Sequence, residues 1–216
     1  DDMGIFLGTT YRMHSAVNRF ISDAIYEGKL DSDPANDKQL IEVPAGYKGP
    51  LHKEAGLVFI PVEHEGNTQA SDEEVVEIKA LAKQLLGRIF TDKNGNQRAI
   101  SWADMLFVAP YNHQVSKLKQ ALATMPGGND AKVGSVDKFQ GQEAPVVFLS
   151  MCASDAGESP RGMDFLFDKH RINVAISRAQ SLAIVVAEPS LVKGKANRVE
   201  QMNQLNLFAQ LIAGAR

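Results

Sequence analysis

Apolar and polar positions alternate along the chain in two recurring patterns. Short apolar runs rich in Val, Ile, Leu and Phe predict buried strands, and apolar positions three and four residues apart predict amphipathic helices. The predicted strands are residues 5–7, 57–62, 105–109, 132–136, 145–151 and 182–186. The predicted helices are residues 14–25, 75–89, 115–122, 170–179 and 202–212.

The strongest predicted helix follows Ser71. The run Ser71-Asp72-Glu73-Glu74 has the form of a capping box, in which the serine hydroxyl and the glutamate carboxylate each accept a hydrogen bond from a free backbone N–H. The apolar positions behind it step by three and four; they are Val75, Ile78, Ala82, Leu85 and Ile89. We therefore expect this helix to extend to Ile89.

Strands that alternate with helices predict an α/β fold, with a parallel sheet covered by helices on both faces. Such sheets bind ligands at the carboxyl ends of their strands, so we expect functional side chains just after the apolar runs. Residues 31–56 interrupt the alternation and are rich in Pro and Gly. This composition predicts a long surface insertion rather than a domain boundary.

Composition narrows the classes of protein to which the chain can belong. Of the 216 residues, 44% are hydrophobic and 23% are charged, which excludes a disordered or fibrous chain. No apolar run approaches the ~20 residues of a membrane helix, so we expect no membrane partner. Cys152 is the one cysteine, which excludes an internal disulfide and favours a reducing, cytoplasmic location. No metal site is predicted.

The formal net charge of the chain is −3. A stand-alone domain that binds nucleic acid is more often basic, because it must neutralise phosphates. The charge therefore counts modestly against nucleic-acid binding by this chain alone, although it permits a local basic groove. The chain begins with Asp1 and carries no signal peptide, so we expect a fragment of a longer protein.

Four polar clusters stand near the ends of predicted strands, and we expect all four at one edge of the sheet. They are residues 10–14, 110–114, 135–143 and 171–179. Arg171 and Arg178 are seven residues apart, so on a helix they project within about 20° of each other. Two guanidinium groups on one side of a helix suit a phosphate or a carboxylate. A pair of surface arginines with acidic partners fits the same spacing equally well.

Residues 140–143, at the end of the third cluster, also have two interpretations. Gly141 allows close approach of the backbone to a ligand, and Glu143 can accept hydrogen bonds from a sugar hydroxyl. A tight turn with solvated polar side chains is the favoured interpretation when this segment is taken alone.

In order along the chain, these clusters resemble the motifs of one protein family. Tyr11-Arg12-Met13-His14, residues 135–147 and residues 173–179 are similar to motifs IV, V and VI of superfamily 1 helicases, most closely the Upf-like branch. Residues 110–114 resemble the Pro-Tyr-x-x-Gln motif between IV and V. Two positions depart from the family pattern. Ser15 stands where motif IV usually ends in Pro, and Gln142 stands where relatives often have a basic residue. The resemblance spans residues 5 to about 190.

The resemblance implies a RecA-like α/β lobe that is one half of a motor. Superfamily 1 helicases bind ATP with Mg²⁺ between two such lobes, and the first lobe carries the P-loop and the Mg²⁺-binding carboxylate. The chain contains no G-x-x-x-x-G-K-[ST] pattern, so it resembles the second lobe. The resemblance therefore implies a partner, the N-terminal RecA-like lobe of the same parent chain. We expect residues 1–192 to form this lobe, with residues 193–216 as a linker and closing helix.

The resemblance also implies roles for individual residues at the nucleotide. Arg12 and Arg178 would reach the γ-phosphate from across the cleft as arginine fingers, and Arg171 would orient motif VI. The residues that would contact the adenine, ribose and phosphates are Tyr11, Gln140, Gly141 and Glu143. The adenine contact of Tyr11 has an alternative, in which the other lobe takes this role.

Single-stranded DNA or RNA is the implied polymer partner. The residues that would contact it are Pro110, Tyr111, Asn112, Ser135 and Asp137. Stacking on an aromatic face contributes about 1–3 kcal/mol per base, and Tyr111 is the aromatic candidate; a half-buried tyrosine that caps a strand is an equal alternative. The remaining candidates are predicted to be structural, namely His14, His113, Trp102 and Cys152.

These roles predict the C-terminal motor lobe of an ATP-dependent DNA or RNA helicase or translocase, inactive without its partner lobe. One alternative is a non-catalytic RecA-like scaffold that binds a partner protein. Another is a self-contained α/β enzyme in which Arg171 and Arg178 bind an anionic metabolite.

Overall fold

The computed structural model of the chain describes residues 8–194 and 196–215. The predicted strand at residues 5–7 lies outside these. The strands are β1 (Thr9–Thr10), β2 (Asp31–Ser32), β3 (Leu40–Ile41), β4 (Gly56–Pro61), β5 (Ile89–Thr91), β6 (Gln97–Ala99), β7 (Met105–Val108), β8 (Lys132–Gly134), β9 (Ala144–Ser150) and β10 (Ala179–Ala187). The helices are α1 (Ser15–Ile25), α2 (Asp72–Leu85), α3 (Asn112–Ala123), α4 (Gly162–Leu166), α5 (Lys169–Ile176) and α6 (Val199–Gly214).

A five-stranded parallel sheet forms the centre of the fold, in the order β4-β10-β9-β7-β8. Successive side chains of a strand point to opposite faces, and β9 divides its apolar residues in this way. Val147 and Leu149 join the core that contains α1, α5 and α6. Val146 and Phe148 join the core that contains α2 and α3. The predicted α/β fold, with helices on both faces of a parallel sheet, is confirmed.

Helix α2 begins as predicted but ends earlier. The Ser71 hydroxyl accepts a hydrogen bond from the Glu74 N–H at 3.1 Å, whereas the Glu74 carboxylate turns inward and does not return to the Ser71 backbone. The helix ends at Leu85 because Gly87 adopts a φ of +83°, which favours glycine and breaks the helix. Ile89, predicted on the helix, instead pairs with Ala99 in a small antiparallel sheet.

Residues 31–56, predicted as a surface insertion, contribute to the body of the fold. Strand β2 pairs with β1, and β3 pairs with β5. Ile41 and Leu51 are fully buried in the core beneath α2. Most residues of this segment are exposed or half-buried, so it lies at the surface and is anchored to the core by these side chains.

Helix α6 closes one face of the sheet. Its buried side chains, Leu207, Phe208 and Leu211, belong to the same core as α1 and α5. Phe208 lies edge-on to Phe59 of β4, with ring centroids 6.5 Å apart. Among the residues that the structure describes, no helix has the length and apolar character needed to cross a membrane.

Candidate functional site

The structure divides the four polar clusters between the two edges of the parallel sheet. Residues 110–112 follow β7 and residues 135–137 follow β8, so both lie at the carboxyl edge. Residues 140–143 precede β9, and Arg178 precedes β10, so these lie at the amino edge. The expectation of a single edge is therefore wrong. Parallel strands require return crossovers, and the polar residues occur at both ends of these crossovers.

Arg12 and Arg178 meet at the amino edge. Arg12 lies between β1 and α1, and its neighbour His14 donates a backbone hydrogen bond to the Gln180 carbonyl at 2.8 Å. Both guanidinium groups line one open cavity of about 580 Å³. Two stretches that are far apart in sequence thus direct arginines to the same space.

Short contacts orient both guanidinium groups. Arg12 Nε donates to Glu143 Oε2 at 2.6 Å, and Arg12 Nη1 donates to the Ser177 carbonyl at 3.2 Å. Arg178 donates to the carbonyls of Val174 and Gln142 at 3.2 and 3.3 Å. The Arg12 and Glu143 side chains are 32% and 44% exposed, so this ion pair faces the cavity rather than the protein interior.

The charges of this cluster influence one another. Burial and then the charge of Arg12 lower the pKa of the Arg178 guanidinium, whereas Glu143 raises it. Burial alone would raise the pKa of Glu143, but hydrogen bonds from Arg12 and Gln180 outweigh it and hold that pKa below its ordinary value. The one carboxylate therefore does not balance the two guanidinium groups, which leaves a positive charge for an anionic ligand.

The other nucleotide-site candidates lie around this cavity or next to it. Tyr11 lines it and is 68% exposed, so its ring is free to stack. Gly141 has a φ of +81° and no atom within 4 Å of the position that a Cβ would take. Glycine is required there by the backbone, and the space beside it is open. Gln140 is exposed on the same turn.

Gln180 and Lys93 belong to this site but are not among the residues that the sequence predicts for it. Gln180 Nε2 donates to Glu143 Oε1 at 2.9 Å and so holds the carboxylate that orients Arg12. Lys93, in the turn between β5 and β6, lines the cavity as a third cation. The position of Gln180 two residues after Arg178 offered a signal, whereas nothing in the local sequence of Lys93 indicated its location.

Arg171 and Arg178 do not form a pair. Helix α5 ends at Ile176, so Arg178 lies beyond the helix and the two-turn spacing does not apply. Arg171 lies over the Phe165 ring, with its Cζ 4.4 Å from the ring centroid, and its Nη2 is 3.7 Å from Asp137. The prediction that both arginines project from one side of a helix is therefore wrong.

The candidate nucleic-acid-binding residues lie at the carboxyl edge, and all of them except Tyr111 are at least partly exposed. Asn112 and Asp137 are exposed, and Pro110 and Ser135 are half-buried. Tyr111 is only 6% exposed; its hydroxyl contacts Ser159, and its ring centroid is 5.3 Å from that of Phe165. This arrangement leaves no free ring face for a base, and it matches the alternative of a tyrosine that caps a strand.

A buried polar network lies behind the carboxyl edge. The Glu74 carboxyl accepts hydrogen bonds from the Ser150 hydroxyl and from the Cys152 N–H at 3.0 Å, and it shares a hydrogen bond of 3.0 Å with His64 Nε2. His64 Nδ1 also contacts Ser154 Oγ at 2.7 Å. Burial raises the pKa of the Glu74 carboxyl. It also raises the pKa of the Cys152 thiol, well above its ordinary value. The network joins helix α2 to the ends of β4 and β9.

His14 has the structural role expected of it. Its Nδ1 accepts a hydrogen bond from the Ala16 N–H at 3.0 Å and so caps helix α1. Burial lowers the pKa of His14, against an opposing effect of Asp37. Over residues 8–194 and 196–215, no three His, Cys, Asp or Glu side chains are grouped as a metal ion would require.

Comparisons with known proteins agree on one family. Residues 2–190 match a protein family described as an AAA domain. The chain is 29% identical over 199 residues to the DNA-binding protein SMUBP-2 of Rattus norvegicus, which covers 88% of this chain and 19% of that protein. It is 28% identical to Helicase SEN1 of Saccharomyces cerevisiae over 214 residues, or 96% of this chain and 9% of SEN1.

A third relative is the DNA polymerase alpha-associated DNA helicase A of Schizosaccharomyces pombe, at 27% identity over 203 residues, with 87% of this chain and 28% of that protein covered. The chain thus spans less than a third of the length of these relatives. The family match extends over most of the chain, and the parallel sheet has the RecA-like arrangement. The chain therefore belongs to this AAA domain family and, within it, to the Upf-like superfamily 1 helicases.

Proposed function

We propose that this chain is the second RecA-like lobe of an ATP-driven helicase or translocase. In the parent protein, a first lobe with a P-loop would hold ATP, and this lobe would contribute Arg12 and Arg178 to its γ-phosphate. The observation that carries the proposal is the convergence of these two guanidinium groups on one open cavity. Catalysis of phosphoryl transfer consists mostly of positioning and charge stabilisation, which two fixed cations provide.

The residues of the cavity fit a nucleoside triphosphate. Its two arginines and Lys93 match the negative charge of the phosphates, and the exposed ring of Tyr11 offers a face for the adenine. Glu143 offers acceptors to a ribose hydroxyl, beside the open backbone at Gly141 and Gln140. In this proposal, Mg²⁺ neutralises charge on the phosphates, and its ligands belong to the first lobe.

At the opposite edge of the sheet, Pro110, Asn112, Ser135 and Asp137 would contact a single strand of DNA or RNA. Tyr111 would position the start of α3 from beneath, since its ring is covered. Residues 135–143 run from this edge to the nucleotide edge in one short crossover. A shift of the crossover on ATP binding would alter both edges together, and a conformational cycle needs such differential contacts.

The first prediction concerns the isolated chain. Purified alone, the 216 residues are expected to fold and to release no phosphate from ATP above background, with or without single-stranded oligonucleotide, because the P-loop is absent. The measurement is phosphate release, with the parent protein as the positive control and circular dichroism as the check on folding. Turnover by the isolated chain would contradict the proposal and favour a self-contained enzyme.

The sequence of the parent protein distinguishes the motor from the alternative of a non-catalytic scaffold. A P-loop and an Asp-Glu pair upstream of this chain would support the motor, and a parent protein without them would support the scaffold. The alternative of a self-contained enzyme that binds an anionic metabolite with Arg171 and Arg178 is disfavoured, because the two arginines lie at different sites. Arg171 faces Phe165, whereas Arg178 lines the cavity.

A further inference from the structure

The Phe165 ring of helix α4 has two guanidinium groups against it. The Arg161 Cζ lies 4.6 Å from the ring centroid, and the Arg171 Cζ lies 4.4 Å from it. A cation within about 6 Å of an aromatic centroid is attracted by the ring, which fixes the position of both side chains. The two positive charges repel each other, so the pair is stabilised further by any anion that approaches.

The neighbouring carboxylates do not neutralise this pair. Asp164 forms an ion pair with Arg198, and Asp168 accepts from the Arg171 N–H as the cap of α5. Asp137 is 3.7 Å from Arg171 and is 77% exposed, which makes a weak, solvent-screened contact. Within the described part of the chain, Arg161 has no ion pair, and its side chain is exposed.

The Phe165 ring lies beside the residues to which the single strand is assigned. Phe165 and Arg171 surround one small cavity together with Pro110 and Val136, which follow β7 and β8 at the carboxyl edge. A guanidinium group is planar and always charged, and its fork of donors matches a phosphate. The ring that orients the two arginines is itself supported by Tyr111 from below.

We propose that Arg161 and Arg171, held on the Phe165 ring, each bind a phosphodiester group of the single strand. This inference rests on the proposed function and adds a phosphate contact site that sets affinity without reading bases. It also assigns Tyr111 a supporting role, in place of the stacking role that the sequence alone suggested.

The test is the salt dependence of binding by the parent protein. Fluorescence anisotropy with labelled oligo(dT) and oligo(U) gives the slope of log affinity against log salt concentration, and each phosphate contact to a single strand contributes about 0.7 to this slope. Arg161→Ala is expected to reduce the slope by about 0.7 and to weaken binding by roughly three- to tenfold at 0.1 M salt for both oligonucleotides. Arg161→Lys is expected to retain the slope.

Arg19→Ala is the matched control, because it removes another exposed arginine, which lies on helix α1 beside the amino end of β4 and away from the carboxyl edge. An unchanged slope in Arg161→Ala, or an equal reduction in Arg19→Ala, would overturn the inference. A parent protein that binds no oligonucleotide would instead contradict the proposed function. Thermal unfolding of each variant reports its folding, and the exposure of Arg161 predicts no loss.

Discussion

Replacement of Arg178 by alanine in the parent protein is expected to lower ATP hydrolysis by about 10³–10⁵-fold, the range that an arginine finger contributes. The Arg178 guanidinium lines the cavity and is oriented by the carbonyls of Val174 and Gln142. Alanine removes the cation but leaves α5 and β10 in place, so single-strand binding at the opposite edge should largely survive. Steady-state phosphate release and oligonucleotide anisotropy measure the two effects.

Two further variants sharpen this experiment. Arg178→Lys retains the charge but loses the planar fork that holds the side chain against two carbonyls, so most of the loss should remain. Arg19→Ala removes an exposed arginine outside the cavity and should leave hydrolysis unchanged. Loss of strand binding with normal turnover in Arg178→Ala would contradict the assignment of Arg178 to the nucleotide.

The fold was predictable because its signals are local. The apolar runs at β4, β7, β9 and β10 are buried on both sides, so their composition alone identifies them as strands. The end of α2 was missed because the apolar spacing continues to Ile89, whereas the positive φ of Gly87 decides where the helix stops. A spacing pattern reports which face is apolar, and a single backbone conformation can override it.

The candidate site was less predictable because it depends on contacts between distant stretches. Arg12 meets Glu143 and Ser177 only after the chain has folded, and Lys93 arrives from a turn with no recognisable motif. The sequence also did not show that the clusters divide between two sheet edges. A polar segment between two parallel strands begins at the carboxyl edge, where the first strand ends, and finishes at the amino edge, where the next strand begins. Residues 135–143 form such a segment, and the sequence alone does not show which of them lies at which edge.

This division has a consequence for how the proposed motor would couple its two ligands. Ser135 and Asp137 lie at the carboxyl edge of the sheet. Gln142 and Glu143 lie at the amino edge, where they contact Arg178 and Arg12, respectively. Phe139 anchors the middle of the crossover, fully buried in the core. In the proposed motor, movement of one end would be transmitted through a packed side chain, and not through a flexible loop.

The largest expected effect on stability is that of Glu74→Ala. The Glu74 side chain is completely buried, and its removal deprives the His64 ring, the Ser150 hydroxyl and the Cys152 N–H of this hydrogen-bond partner. Each of these three buried polar groups loses a partner at a cost of about 1–3 kcal/mol, so the free energy of unfolding should fall by at least about 3 kcal/mol. Urea unfolding of the isolated chain measures it, and Glu77→Ala on the same helix, whose carboxylate is not fully buried, should cost less than about 1 kcal/mol.

The Glu74→Gln variant tests the protonation state of this carboxyl. Burial raises the pKa of Glu74 above its value of 4.5 in an unfolded chain, so the folded state binds its proton more tightly. The stabilising contribution of the carboxyl is then complete below pH 4.5 and is lost as the pH rises through the folded-state pKa. The glutamine variant does not titrate, so its stability deficit relative to the native chain should shrink as the pH increases from 4.5 to 8. A deficit that grows over this interval would mean that the network stabilises an ionised carboxylate.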